Sequence, residues 1–174
     1  MKDYWLAKLI ASVPEVDSRK RRQKSIYLLQ RAGCPLHCEY ILHYYGPYSF
    51  ALAGLIDQLK GANLINETPE PLAPGVVRYR SAITPRGRNV LESFEKTKAG
   101  KKARGQITPF MSGFKPLVEE DLWVLELAAT VGYSYDGNWE YARACAAASK
   151  GILNKRLREL SQATELAKGY VKGQ

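Results

Sequence analysis

The sequence predicts a mainly α fold with one small β-hairpin, an α+β arrangement of an N-terminal domain, a basic linker and a C-terminal helical subdomain. Three observations carry this prediction. Apolar residues recur at three- and four-residue steps, as in Leu52, Leu55, Ile56 and Leu59. Two short runs of β-formers, 64–67 and 76–80, flank a proline-rich stretch. From residue 122 onward the apolar spacing is again helical.

Leu6, Leu9, Ile10 and Val13 place one stripe on a first helix, which Pro14 ends. Asp17 or Ser18 caps a second helix over 19–32, with Ile26, Leu29 and Tyr27 turned inward and Gly33-Cys34-Pro35 closing it. Arg19, Lys20, Arg21, Arg22 and Lys24 crowd its opening turns. The helix dipole disfavours each such charge by about 0.3–1 kcal/mol, so a compensating group is expected from elsewhere in the chain. Tyr40, Ile41, Leu42, Tyr44 and Tyr45 favour an extended segment running into a turn at Gly46-Pro47. Ser49 then caps a third helix, 50–61. The two β runs form a hairpin whose long tip spans 68–75. Thr84-Pro85 opens a fourth helix, with Val90, Leu91 and Phe94 as its inward stripe.

The N-terminal domain is expected to close at residue 96. Residues 97–116 are rich in Lys, Arg, Gly and Ser and read as a linker or mobile arm. In 117–174, Glu119, Glu120 and Asp121 favour the start of a buried helix over 122–131, because carboxylates suit the positive end of the dipole. Asp136-Gly137-Asn138 restarts a helix that Gly151 stops. Leu153, Leu157, Leu160, Thr164, Ala167 and Val171 then alternate four and three apart. That spacing reads either as a homodimer seam or as a face docked on the two preceding helices.

The chain has 174 residues, 45% of them hydrophobic, which is enough for a real core and excludes disorder throughout. A formal net charge of +9 admits nucleic acid, an anionic membrane surface or an acidic protein as partner. Three unevenly placed cysteines, Cys34, Cys38 and Cys145, suit a reducing cytoplasm rather than a disulfide framework. No apolar run approaches the roughly 20 residues a bilayer requires, so no membrane role is expected. Cys34, His37, Cys38 and His43 lack the paired spacing of structural zinc ligands, and no metal or other cofactor is expected. Without a phosphate loop, a Gly-x-Ser-x-Gly elbow, a His-Glu-x-x-His helix or a dinucleotide fingerprint, the chain does not read as an enzyme.

Helix, helix, extended segment, helix, hairpin, helix is close to the order of a winged helix-turn-helix domain. Leu64-Ile65 and Tyr79-Arg80-Ser81-Ala82-Ile83-Thr84-Pro85-Arg86-Gly87-Arg88 resemble the wing and following helix of MarR- and PadR-like regulators. The stretches Arg21-Arg22-Gln23-Lys24-Ser25-Ile26-Tyr27-Leu28-Leu29-Gln30 and His43-Tyr44-Tyr45-Gly46-Pro47-Tyr48-Ser49 resemble YwgA-like winged-helix proteins. They are also distantly similar to the Panacea (SocA-like) antitoxin domain. The resemblance to the winged-helix proteins implies transcriptional regulation, and that to the antitoxin domain a protein partner.

In a DNA-reading winged helix the helix after the turn presents polar side chains to base edges. Here it offers Ser49, Gln58 and Lys60, beside Asp57. The main cationic groups lie elsewhere, on Arg19, Arg21, Arg22 and Lys24, on Arg78, Arg80, Arg86 and Arg88, and on the basic stretch from Lys96 to Arg104. The leading expectation is duplex DNA bound mainly through phosphates, provided the fold gathers the first two groups on one face. The alternative is a protein-binding module whose interface is the apolar third helix or the C-terminal helices. The tyrosines at 40, 44, 45 and 48 read either as packing or as a platform for stacked bases.

Overall fold

The computed structural model describes residues 1–151 and 157–172. Among these residues the chain forms eight helices and two separate two-stranded antiparallel sheets, so the fold is mainly helical and α+β. Leu153 of the expected C-terminal seam lies outside the described residues. No described helix is long and apolar enough to cross a membrane.

Capping sets most of the boundaries. Helix α1 spans Lys2–Ala11 and α2 spans Arg19–Arg31. The Ser18 hydroxyl accepts from the Arg21 amide at 3.0 Å, satisfying one of the orphan donors of the first turn of α2. Ser49 does the same for α3 (Phe50–Gly61), accepting from Leu52 N at 3.1 Å. Thr84 caps α4 (Pro85–Glu95) through Gly87 N at 2.9 Å. Gly87 is required there by close approach: a Cβ would lie 2.1 Å from the Leu64 carbonyl oxygen. Of the expected stripe on α4, Leu91 is buried and Phe94 partly so, whereas Val90 faces outward at 43% exposure.

The tyrosine-rich segment is a hairpin rather than a lead into a Gly-Pro turn. Strand β1 (Ile41–His43) pairs with β2 (Gly46–Tyr48), Tyr44 and Tyr45 make the turn, and Gly46 and Pro47 lie in the second strand. Both are buried, which is why the chain turns one residue pair earlier than its glycine and proline suggest. The second hairpin, β3 (Ile65–Ala73) with β4 (Val76–Ile83), is longer than expected. Its ladder runs to Ala73↔Val76, past Pro69 and Pro71, so the expected long tip shrinks to a tight turn at Pro74-Gly75. An isolated bridge between Val16 and Ser81 ties this hairpin to the α1–α2 connection.

Residues 97–116, expected as a linker or arm, are instead most of helix α5 (Lys98–Glu119). Ala103, Ile107, Phe114 and Leu117 are buried at helical spacing, and the Trp5 indole N–H donates to the Ala103 carbonyl at 3.1 Å. Side chains of this kind each contribute about 1.5–3 kcal/mol when fully buried, which outweighs the low propensity of the intervening glycines. Helix α6 (Leu122–Ser134) is capped by Asp121 and is buried over Val124–Gly132, lying against α2, β2, α7 (Trp139–Ser149) and α8 (Leu157–Tyr170). One hydrophobic core therefore runs from Tyr4 to Ala167.

A neutralised charge cluster and an exposed aromatic hairpin

Three of the cations at the start of α2, Arg19, Arg21 and Arg22, find their compensation within the protein. The Arg21 guanidinium donates to the Asp17 carboxylate and to the Glu120 carbonyl. Arg22, 5% exposed, donates to the Ser81 hydroxyl and pairs with Glu67 at 3.1 Å. Arg19 reaches the same carboxylate at 2.6 Å while its guanidinium lies 3.8 Å above the Tyr79 ring. Lys60 completes the cluster at 3.0 Å. Burial works to raise the Glu67 carboxyl, but the hydrogen bonds from Arg19 and Lys60 and the Arg22 charge outweigh it and hold the group down at about 2.

A second carboxylate serves the hairpin. Glu70 accepts from Arg78 and from Arg80, each at 2.7 Å, and is likewise held down at about 2 by those hydrogen bonds. Arg78 also lies 3.7 Å from Asp17, and Arg80 pairs with Glu15. The two expected cationic groups thus meet across the β3–β4 hairpin, but carboxylates stand between them. Arg21 and Arg22 are inside the protein with their guanidinium groups engaged by Asp17 and Glu67, and Lys24, 2% exposed, lines a cleft rather than the outer surface a duplex would meet. Ser49 is buried as a cap. Gln58, Arg86 and Arg88 are exposed, and neither arginine has an ion pair among the described residues. The outward face of α3, made by Phe50, Ala51, Gly54, Asp57, Gln58 and Gly61, carries no cation.

The β1–β2 hairpin is held from behind. Gln23 brackets Ser49, donating to its carbonyl at 2.9 Å and accepting from its amide at 3.0 Å. Lys24 donates to the Pro47 carbonyl at 2.7 Å. Lys150 donates to the Tyr44 carbonyl at 2.8 Å and pairs with Glu126. Gly46, at φ +84°, sits so close to α6 that a Cβ would lie 2.6 Å from the Thr130 hydroxyl oxygen.

The other side of the hairpin faces outward with large apolar groups. Ile41 is 50% exposed, Tyr44 80%, and Phe50, at the start of α3, 69%. Register places Ile41 opposite Tyr48, whose ring meets Phe50 at 5.0 Å and His43 at 5.9 Å. Tyr44 and Tyr45 pack edge to face at the turn. Tyr40 differs from these rings: it is partly buried and packs against Tyr27 in the interior at 4.9 Å. Between hairpin, α2 and α3 opens a cleft of about 410 Å³, with His43, Tyr45 and Tyr48 on one wall and Lys20 and Lys24 on the other.

These internal partners had only a faint signature in the sequence. Arg22 lies four and seven residues before Ile26 and Leu29, on the same inward stripe, which marks it as interior. Glu67, Glu70 and Gln23 had no such mark.

No protein-family model matches the chain. Over 87 residues it is 32% identical to a protein of Bacillus subtilis (strain 168) named "Uncharacterized protein YwgA". The chain is related to YwgA. The match covers 50% of this chain and 52% of that protein, so it spans about half the length of the relative.

Proposed function

We propose that this chain is a non-enzymatic protein-binding module on a winged helix-turn-helix scaffold, which holds its partner on the outer surface of the β1–β2 hairpin and the first turn of α3. The observation that carries this reading is the row of exposed apolar side chains Ile41, Tyr44, Tyr45 and Phe50 on a rigidly mounted hairpin. Large exposed apolar groups gathered on neighbouring elements mark interaction sites, and Tyr is enriched among residues that dominate binding. The wing would be β3–β4, whose arginines serve its own fold through Glu70. The resemblance to the antitoxin domain supports the same class of function.

The test compares the wild-type chain with a Tyr44→Ser, Phe50→Ser variant as bait in the native host. A stoichiometric complex by size exclusion that is lost in the variant, with the circular dichroism unchanged, is the expected result. Equal complex formation by both would remove this surface from the proposal.

A second reading, duplex DNA bound through phosphates, retains one supporting observation. Arg86, Arg88, Lys98, Lys101 and Lys102, around the first turns of α4 and α5, are exposed and have no ion pair among the described residues. A gel-shift series from low to physiological salt tests it, because each phosphate neutralised adds about 0.9 to the logarithmic salt slope.

A further inference from the structure

Charge accounting in the cleft beside the aromatic hairpin leaves two cations over. Of its basic lining residues, Arg19 and Arg22 are committed to Glu67. Lys20 has no carboxylate partner among the described residues; its ammonium rests 3.3 Å from the centroid of the Tyr45 ring. Lys24 is 2% exposed, and its ammonium donates to a single neutral group, the Pro47 carbonyl. Glu126, the carboxylate whose charge acts on Lys24, is already engaged by Lys150. Burial pulls the Lys24 ammonium down to about 8, with only partial relief from the Glu126 charge and further depression from Lys150 and Lys20. A buried ammonium in this condition gains from any anion brought against it.

We propose that the partner inserts an acidic side chain, Asp or Glu, flanked by apolar residues, into this cleft, where its carboxylate meets Lys20 and Lys24. The inference rests on the protein-binding reading above and names the chemistry of the partner. Three features select a peptide carboxylate. The volume of about 410 Å³ takes a few side chains and not a duplex. Asp57, on the α3 side of the cleft, opposes the double charge of a phosphate more than the single charge of a carboxylate. The wall beside the cations is aromatic and aliphatic, through Tyr45, Tyr48 and Ile56, which is the surround that desolvates a central charged contact.

The test is a selection of random displayed short peptides on the full-length chain, followed by fluorescence anisotropy with one enriched peptide made synthetically. Lys20 is exposed on the first turn of α2, a position that favours an acid, so Lys20→Glu keeps the fold. Enriched sequences carrying Asp or Glu beside an aromatic or aliphatic residue are expected. Lys20→Glu should weaken the peptide by at least about tenfold, as should replacing its acid by the amide, and a peptide with Lys at that position should regain affinity for Lys20→Glu. Enriched peptides without an acid, or equal binding to wild type and Lys20→Glu while Tyr44→Ser abolishes it, overturn this inference and leave the protein-binding reading standing. A selection that enriches nothing, or binding indifferent to both Lys20→Glu and Tyr44→Ser, overturns the two together.

Discussion

Arg22 on α2 and Glu67 on β3 form an ion pair at 3.1 Å with side chains 6% and 2% exposed. It joins the second helix to the longer hairpin, and Arg19 and Lys60 close around the same carboxylate. Two charges buried together recover their lost hydration only while both are present. Glu67→Gln keeps the shape and removes the charge, leaving Arg22 in the interior without a counterion. The expected cost is about 3–5 kcal/mol, read from urea unfolding. Replacing both members by apolar residues of similar volume should restore most of that loss.

The same carboxylate sets an acid limit. Its folded value, about 2, lies below the ordinary value near 4.5, so the folded state binds the proton less well than the unfolded chain. The stabilisation is therefore complete above the ordinary carboxylate range and is lost as pH falls toward 2. Melting temperature of the wild type should fall across that window more steeply than that of Glu67→Gln. Parallel pH profiles would show that Glu67 is not the group responsible.

How far the sequence revealed this arrangement differs by element. Ser18, Ser49, Thr84 and Asn138 all cap helices in the structure, because a cap is a local bond between a side chain and an amide two or three residues on. Helix α5 was hidden, since Lys98, Gly100, Lys101, Lys102, Gly105 and Pro109 dilute a stripe carried by only a few apolar residues. The fate of the basic residues on α2 was hidden for a different reason. Glu67 lies 45 residues beyond Arg22, and nothing in the neighbourhood of either announces the other. A basic run looks the same in sequence whether it faces solvent or a buried acid.

Gly46 couples the first hairpin to α6 through the absence of a side chain. Its φ of +84° is costly for any residue with a Cβ, and that Cβ would meet the Thr130 hydroxyl oxygen at 2.6 Å. Gly46→Ala should destabilise the protein by about 1–3 kcal/mol. Thr130→Ala removes the clash but not the backbone strain, so the double variant should recover part of the loss. Full recovery in thermal melts would mean that the clash alone matters.

Helix α5 gives the sharpest contrast between the two readings of residues 97–116. In an arm, truncating Ile107 would change stability by no more than about 0.5 kcal/mol, the usual range for surface substitutions. In the structure Ile107 is fully buried, one turn after Ala103, whose carbonyl accepts the Trp5 indole N–H. Ile107→Ala should therefore cost about 2–5 kcal/mol, the range for truncation of a large core side chain. Hydrogen exchange offers an independent check, because amides of a packed helix open only with the surrounding core. Slow exchange around Ala103 and Ile107, together with a large loss on truncation, is the expected result. Fast exchange and a neutral Ile107→Ala would return the segment to a mobile arm and free its lysines for an anionic partner.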